Sequence, residues 1–284
     1  MGEVAVIVIL FNPSKEDLEY VKGLSAVQNG YIIDNSSKPS LAEVTGKMHY
    51  ICNGKNIGIA EAQNIAIREI LEDSNFKYIV FFDQDTRVSP QYVNDITQAY
   101  KSTRARINNL AILGPTVENK DTQEEYRSVF HDARADESGF VQQRDVISSG
   151  SCVTTDVIKE VGLNEGPLFI DFVDFEWCWR AQSKGYISGT TTKVSIQHKV
   201  GKKEIHIGNY HIIVSAPFRY FYLYRNYQWL RRRSYVPKQW KIAQGVKQLI
   251  NIFVLPLAVK GGFKCSKNAI KGMFYGLFKK EEQL

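Results

Sequence analysis

The stretch Lys77-Tyr-Ile-Val-Phe-Phe-Asp-Gln-Asp-Thr86 joins an apolar run, typical of a buried strand, to two carboxylates, Asp83 and Asp85. In an extended segment residues two apart point to the same face, so both carboxylates can project toward one ligand. Neighbouring carboxylates repel each other unless a cation lies between them, and oxygen ligands suit Mg²⁺ or Mn²⁺. The pattern indicates a divalent metal site; the alternative is a polar turn after a buried strand.

Three similar units precede this strand. Apolar runs at 4–10, 30–34 and 48–51 each end at polar residues, and helical spacing occupies 15–24 and 59–73. The order predicts a β-α-β-α-β-α-β succession and a mainly parallel sheet with helices on both faces. Asp34, the loop at Gly58 and the Asp83/Asp85 pair are then expected along one edge of the sheet, as in a nucleotide-binding site.

The loop Asn53-Gly-Lys-Asn-Ile-Gly58 opens the second of these helices. The first turn of a helix has unpaired N–H groups and a favourable dipole, so this loop is a candidate phosphate site. The spacing is not G-x-G-x-x-G, and a plain helix start explains it equally well. Further on, a helix is expected at 92–101, a strand at 110–113, loops or a short hairpin at 118–144, and a tight turn or a ligand-approaching backbone at 146–154.

A second acidic cluster lies in Phe169-Ile-Asp-Phe-Val-Asp-Phe-Glu-Trp-Cys-Trp-Arg180. A helix that begins near Asp171 would explain this residue as a cap and Glu176 as an acidic first-turn residue. Asp174 is surrounded by aromatic residues, which could raise the pKa of its carboxyl and make it a general base. A short strand at 194–198 ends in His198, which is either structural or a further metal ligand.

The charge of the chain is divided unevenly. The formal net charge is +6, but residues 199–284 have 17 Lys+Arg and only 3 Asp+Glu, and residues 1–198 are acidic. Apolar and aromatic positions at 242–263 and 269–278 are interrupted by Lys, Gly and Pro256, so they favour a helix lying in an anionic membrane surface over a spanning one. The alternative is a helical packing or dimerisation surface. No nucleic-acid module is recognised.

The four cysteines, Cys52, Cys152, Cys178 and Cys265, have no C-x-x-C spacing, and the chain starts directly with a strand pattern. We therefore expect neither a disulfide framework nor a structural zinc site. With no secretory signal recognised, a reducing, cytoplasmic environment is expected.

Several motifs occur together in one order: Val-Ile-Val-x-Leu-Phe-Asn in the first strand, Asp34-Asn-Ser36, Asn56-x-Gly58 with Ala60 and Asn64, Asp83-x-Asp85, Ser149-Gly150, Phe169-Ile-Asp-x-Val-Asp-x-Glu-x-Cys-x-Arg180, and His198. Over residues 4–226 this order resembles the inverting, GT-A-fold glycosyltransferases of family two. The acidic block, together with Arg219-Tyr-Phe-Tyr-x-Tyr-Arg-Asn226, resembles the rhamnosyltransferase branch that builds bacterial surface polysaccharides.

The resemblance implies a role for each matching residue. Asp174 occupies the position of the catalytic base, but Val173 stands where many relatives have Glu, so Asp171 or Glu176 would have to substitute for that acid. The implied metal ligands are Asp85, His198 and Asp83. The implied contacts to the nucleotide sugar are Phe11, Asn12, Asp34, Asn56, Gly58, Asn64, Asp83 and Gln84. The implied acceptor side consists of Ser149, Gly150, Asp171, Glu176 and Trp177.

The resemblance also implies a function. The expected donor is a dTDP- or UDP-linked sugar, with L-rhamnose from dTDP-rhamnose preferred over galactofuranose, glucose or galactose from UDP. The expected acceptor is a lipid-diphosphate-linked sugar or an oligosaccharide, reached from the inner face of the plasma membrane. A non-catalytic nucleotide-sugar-binding protein is the alternative. Residues 1–205 are expected to form the catalytic domain, and residues 206–284 a basic helical region that associates with membrane or forms a homodimer contact.

Overall fold

A computed structural model describes residues 2–42, 46–119, 134–198, 204–207 and 210–279 of the protein. Ten strands are assigned within these ranges: β1 (Val4–Leu10), β2 (Gly30–Asp34), β3 (Met48–Cys52), β4 (Tyr78–Asp83), β5 (Leu110–Asn119), β6 (Phe140–Gln143), β7 (Cys152–Thr154), β8 (Ile187–His198), β9 (Glu204–Ile207) and β10 (Tyr210–Ile213). The helices are α1 (Lys15–Val27), α2 (Gly58–Glu72), α3 (Tyr92–Arg104), α4 (Thr155–Val161), α5 (Val173–Ser183), α6 (Pro217–Leu230), α7 (Lys238–Ala258) and α8 (Gly262–Phe278).

Eight strands form one sheet in the order β3-β2-β1-β4-β7-β5-β8-β6. The first four are parallel, β7 is antiparallel to β4 and β5, and β8 runs parallel to β5 and antiparallel to β6. Strand β1 is apolar throughout because both faces of the sheet are covered. On one face Ile7 and Ile79 pack against α2, and on the other Val6 and Val80 pack near Ile96 of α3.

The register of the parallel strands confirms the predicted common edge. Leu10 lies opposite Asp34, and Ile9 lies opposite Asp83, so β2 and β4 end side by side next to β1. Residues after these ends share one edge of the sheet, where open α/β folds bind their ligands.

Two parts of the fold differ from the prediction. The connection from β2 to β3 has no helix in residues 35–42 and 46–47, so the predicted alternation fails at this unit. Strand β8 starts at Ile187, seven residues before the predicted strand, and pairs with β6 through the polar residues Thr190 and Thr191. These polar residues lie near the edge of the sheet, where strands do not need an apolar run, so the hydrophobic pattern did not mark them.

Helices α6 and α7 pack on the sheet domain through aromatic side chains, and α8 packs on α6. Trp179 of α5 contacts Trp240 of α7 with ring centroids 4.8 Å apart, and Tyr227 and Leu230 of α6 belong to the same buried cluster. None of the helices within the described residues has the length and apolarity that a membrane crossing requires. The proposed boundary near residue 205 therefore separates two regions that share a buried contact.

Candidate active site

The Asp83–Asp85 pair lies in a turn at the end of β4. Asp83 is the last residue of the strand, and the Thr86 N–H donates to the Asp83 carbonyl over 3.1 Å, so the chain turns before Asp85. The same-face argument for an extended segment therefore does not apply to Asp85. Both residues nevertheless lie at the same edge of the sheet, Asp83 partly buried and Asp85 exposed.

The loop before β7 supports this turn. The Ser149 Oγ lies 2.6 Å from the Thr86 Oγ1 and accepts a hydrogen bond from the Asp83 N–H at 3.3 Å. Gly150 donates its N–H to the Phe81 carbonyl and has φ +79°, and a Cβ there would lie 2.6 Å from the Tyr92 hydroxyl. Ser149 and Gly150 are thus hydrogen-bonded to β4 and its turn, and their place on the acceptor side stays a prediction.

We expect Ser149→Ala to lower kcat about tenfold and the free energy of unfolding by about 1–2 kcal/mol, because the turn loses two hydrogen bonds. Ser151→Ala is the matched control, since the Ser151 Oγ donates to the Ser148 carbonyl in the same loop and does not contact the turn. Steady-state kinetics and urea unfolding of both variants test this. Equal loss of activity in the two variants would contradict a specific role for Ser149.

The segment before α5 has a strained backbone. Phe169, Asp171 and Phe172 have φ values of +66°, +67° and +67°, a region that non-glycine residues rarely adopt. Asn226 of α6 is buried, and its Nδ2 lies 2.8 to 3.0 Å from the carbonyls of Leu168, Ile170 and Asp171. Strain of this kind persists where surrounding contacts impose it, and it concentrates at functional sites.

Asp171 forms an ion pair with Arg219 at the start of α6. The Arg219 Nη2 lies 2.5 Å from one carboxylate oxygen and the Nε lies 3.4 Å from the other. Burial disfavours the charge of Arg219, but Asp171 and then Asp83 outweigh this effect and raise the pKa of the guanidinium. Arg219 thus interacts electrostatically with acidic residues from both clusters.

Asp174 is the second residue of α5 and borders a small cavity of about 30 Å³, lined mainly by apolar groups such as Ile67, Phe81 and Trp177. Burial raises the pKa of Asp174 to about 7; the backbone N–H groups of Phe175 and Ser148 oppose this rise, and the charge of Asp83 adds to it. The side chain is therefore a carboxyl that exchanges its proton near neutral pH, as a general base requires. Helix α5 begins at Val173 without a side-chain cap, so the capping explanation of Asp171 is wrong.

The start of α2 does not offer free amides to a phosphate. The Gly58 N–H donates to the Asn56 side chain at 2.9 Å, and the Ile59 N–H donates to the Phe169 carbonyl at 2.7 Å. Gly58 has φ +84°, and a Cβ on it would approach the Phe169 carbonyl oxygen to 2.5 Å. The Ile59 amide thus joins α2 to the strained segment, and a contact of Asn56 and Gly58 with the nucleotide stays a prediction.

Asn64 and Glu176 are both bonded to other parts of the protein. Asn64 is buried and pairs with the backbone of Asn164, accepting its N–H at 2.9 Å and donating to its carbonyl at 2.9 Å. Glu176 is fully buried in ion pairs with Arg180 and Arg233. Neither side chain is exposed to a nucleotide or an acceptor, and Glu176 is not accessible as a substitute acid.

Trp177 was also predicted on the acceptor side. It is buried, and its indole N–H donates to the Gly162 carbonyl at 2.8 Å. It contributes to the wall of the cavity beside Asp174.

Asp34 is completely buried at the end of β2. It accepts hydrogen bonds from the N–H groups of Ser36 and Ser40 and from the Tyr50 hydroxyl, at 2.8, 2.9 and 2.6 Å. Burial disfavours its charge, but these bonds prevail and lower the pKa of Asp34. The carboxylate organises the loop after β2, and a direct contact between it and a nucleobase stays a prediction.

The end of β1 lies next to the acidic turn. The Phe11 N–H donates to the Gln84 Oε1 at 2.7 Å, and the Asn12 N–H donates to the Ser36 Oγ at 2.8 Å. Phe11 is exposed, and Asn12 has φ +46°. These contacts bring the predicted nucleotide-binding residues Phe11, Asn12 and Gln84 to the same edge as Asp83.

The side chains at this edge supply part of what a divalent metal site needs. Among the described residues, no three His, Cys, Asp or Glu side chains are grouped closely enough to bind a metal. Asp83 and Asp85 supply two carboxylates, and Mg²⁺ is commonly bound by one or two carboxylates together with substrate phosphates. The His198 backbone ends β8 opposite Asn119, and its side chain lies outside the described part of the protein, so its role as a ligand stays a prediction.

Sequence reasoning missed three residues of α6. Arg219 pairs with Asp171, Asn226 binds the strained segment, and Arg225 donates through Nη2 to the carbonyls of Pro167 and Leu168 at 2.5 and 3.0 Å. The available signal was the run Arg219-Tyr-Phe-Tyr-Leu-Tyr-Arg-Asn226, in which polar residues interrupt an aromatic helix. Buried polar groups in such a setting need partners, which here are the carbonyls of the neighbouring segment.

Comparison with known proteins agrees with this geometry. The family model of glycosyl transferase family 2 matches residues 7–162. The dTDP-rhamnosyl transferase RfbF of Shigella flexneri is 30% identical over 292 residues, 97% of this chain and 96% of that protein. The low-salt glycan biosynthesis hexosyltransferase Agl10 of Haloferax volcanii is 22% identical over 208 residues, 70% of this chain and 67% of that protein.

Two solved structures share the fold at 12% identity. One is GalNAc-T7 with UDP, GalNAc and Mn2+, with a TM-score of 0.51 over 69% of this chain and 44% of that chain. The other is S. aureus TarS 1-349, with a TM-score of 0.50 over 96% of this chain and 72% of that chain. The predicted GT-A fold, with its central sheet covered by helices and its C-terminal helices, is confirmed.

Proposed function

The chain belongs to glycosyl transferase family 2 and is a glycosyltransferase, and we propose that it transfers L-rhamnose from dTDP-rhamnose with inversion at the anomeric carbon. The observation that carries the choice of donor is the match to a dTDP-rhamnosyl transferase along nearly the whole of both chains. Asp83 interacts electrostatically with both Asp174 and Arg219, and Arg219 also pairs with Asp171. These interactions support a catalytic site at the sheet edge.

In the proposed reaction Asp174 acts as the base. An acceptor hydroxyl oxygen forms a bond to the anomeric carbon while the bond from that carbon to the nucleotide phosphate breaks. The hydroxyl proton passes to the Asp174 carboxylate, and the electron pair of the broken bond leaves on the diphosphate. The transition state resembles the oxocarbenium ion of glycoside hydrolysis, so negative carboxylates nearby are favourable.

The leaving diphosphate needs positive charge. Asp83 and Asp85 are the residues that would bind a divalent cation, and such a cation supplies electrostatic stabilisation of the departing phosphate oxygens. Arg219 supplies a second positive group, because its partly exposed side chain lies within the field of Asp83. The buried Ser149 holds the backbone of Asp83 and so fixes the direction of the acidic turn.

For the acceptor we propose a lipid-diphosphate-linked sugar or an oligosaccharide of a bacterial surface glycan, reached by the enzyme from the cytoplasmic side as a peripheral membrane protein. This proposal is supported by the basic composition of residues 206–284, which we propose as a region distinct in function from residues 1–205. The contact of α6 with the site links the two regions, because Arg219 and Asn226 belong to the second and act on the first.

A donor panel tests the proposed function. Pure protein is incubated with dTDP-rhamnose, UDP-galactofuranose, UDP-glucose and UDP-galactose, together with lipid-linked acceptors, with and without EDTA, and products are identified by mass spectrometry. We expect transfer from dTDP-rhamnose alone and its loss in EDTA, with recovery on adding Mg²⁺ or Mn²⁺. Transfer from a UDP sugar would show that the donor is not dTDP-rhamnose. Full activity in EDTA would show that the reaction needs no divalent metal. Binding of a donor without transfer would favour a non-catalytic protein.

A further inference from the structure

Helix α7 carries an apolar face that no part of the described protein covers. Five large side chains recur at helical spacing along it and are 52 to 88% exposed: Ile242, Val246, Leu249, Phe253 and Leu257. The opposite side of the helix is buried through residues such as Gln248 and Leu255. The helix is thus attached to the protein by one side and presents a continuous apolar stripe on the other.

Helix α8 extends this surface. Its inner side packs closely on α6: a Cβ on Gly272 would lie 2.1 Å from the Phe221 carbonyl oxygen, so a larger residue cannot fit. Its outer side exposes Phe263, Phe274 and Phe278, at 74, 50 and 78%. We call the exposed outer sides of α7 and α8 together the α7–α8 face. Isolated exposed apolar residues are ordinary, whereas a contiguous apolar surface marks an interaction site.

The charge of this surface identifies its partner. The lysines Lys247, Lys260, Lys264, Lys267 and Lys271 are exposed on or beside the α7–α8 face. The sequence has no Asp or Glu between Glu204 and Glu281, so no acidic residue of these helices neutralises them. Two copies of the protein joined through this face would place lysines next to lysines, which repel each other. An anionic membrane surface offers negative charge to the lysines and an apolar layer to the exposed apolar side chains.

We propose that the α7–α8 face lies in the plane of an anionic bilayer, with its aromatic and aliphatic side chains among the acyl chains and its lysines at the headgroups. The purpose of this contact rests on the proposed function, because a lipid-linked acceptor is presented at the same surface. The contact itself does not require sugar transfer, so the two can be tested apart.

The experiment measures sedimentation of the full-length protein with vesicles of phosphatidylcholine, alone or with about 30% phosphatidylglycerol. Binding is expected only to the anionic vesicles and is expected to weaken as salt increases. Phe253→Gln/Leu257→Gln should lower the partition coefficient roughly a hundredfold because two apolar anchors are lost. Lys264→Gln/Lys267→Gln/Lys271→Gln should lower it by a similar factor at low salt.

Val27→Gln on α1 is the matched control, since Val27 is 57% exposed on another surface, and it should bind like the wild type. Equal binding to neutral and anionic vesicles, or none at low salt, would overturn the proposal. A solution dimer that Phe253→Gln/Leu257→Gln dissociates, without vesicle binding, would overturn it in favour of a self-association surface.

The failure of this inference is distinguishable from failure of the proposed function. With a water-soluble acceptor, the Phe253→Gln/Leu257→Gln variant should transfer sugar at the wild-type rate, and with a lipid-linked acceptor in anionic vesicles it should lose activity in proportion to its weaker binding. Transfer by a wild-type protein that does not bind vesicles overturns only the membrane contact. Vesicle binding without transfer from any donor supports the contact and overturns only the function.

Discussion

Replacing Asp174 by Asn is expected to lower kcat about 10³-fold, the range typical of losing a general base. The amide has the shape of the carboxyl and keeps an oxygen for the Phe175 N–H, but it cannot accept the acceptor proton. Binding of the nucleotide sugar should change little, because the base faces the attacking hydroxyl. Steady-state kinetics together with calorimetric titration of the donor separate these effects, and turnover comparable to the wild type would remove Asp174 as the base.

The matched comparison is Asp171→Asn, because Asp171 lies three residues away and also faces the site. We expect it to lower kcat only about tenfold, since its carboxylate is engaged in an ion pair with Arg219. If Asp171→Asn lowers kcat more than Asp174→Asn does, the base is Asp171.

The pH dependence follows from the raised pKa of Asp174. Burial, opposed by hydrogen bonds from backbone N–H groups and assisted by Asp83, raises this pKa from 3.8 to about 7. A base must be ionised to act, so log kcat/KM should rise with unit slope below about pH 7 and level off above it. A cation on Asp83 would shift the midpoint downward, which measurement at several metal concentrations would detect.

The same pKa makes a prediction about stability. The native carboxyl binds its proton more tightly than the unfolded one, so the wild type loses stability as the pH rises from about 4 to about 7, and the loss is complete above pH 7. The asparagine side chain of the variant does not ionise, but it has one oxygen fewer to accept hydrogen bonds from backbone N–H groups. Asp174→Asn should therefore be more stable than the wild type by about 2 kcal/mol at pH 8, and no more stable at pH 4. Urea unfolding at both pH values measures this difference.

The strands and the position of the site could be predicted from the sequence because their signals are local. Each buried parallel strand is a continuous apolar run, and the residue that ends it marks the ligand-binding edge. Strands β1, β2 and β4 were found in this way, and the register places Asp34 and Asp83 at one edge as expected.

The partners of individual polar residues could not be predicted, because they depend on contacts between distant segments. Asn64 pairs with Asn164, Glu176 pairs with Arg233, and the Ile59 N–H donates to the Phe169 carbonyl. The same residue types at the same spacing would suit a ligand equally well. The fold shows that these groups bond to other segments of the chain, and Asp83, Asp171 and Asp174 remain the residues proposed for the reaction.

Arg219→Met is expected to lower kcat on the order of a few hundredfold, because the leaving diphosphate loses a fixed positive group. The nucleoside diphosphate should also inhibit this variant more weakly than the wild type. Arg219→Lys should recover part of the activity, since it keeps the charge but not the two-nitrogen contact with Asp171.

The control must separate a role toward the donor from a role toward Asp171, whose side chain is only 11% exposed and would lose its partner in Arg219→Met. The double variant Asp171→Asn/Arg219→Met removes this unpaired charge. If Arg219 acts on the diphosphate, the double variant regains stability but remains as slow as Arg219→Met. If it regains activity as well, Arg219 serves only to neutralise Asp171, and the positive charge for the leaving group must come from the cation at Asp83 and Asp85 alone.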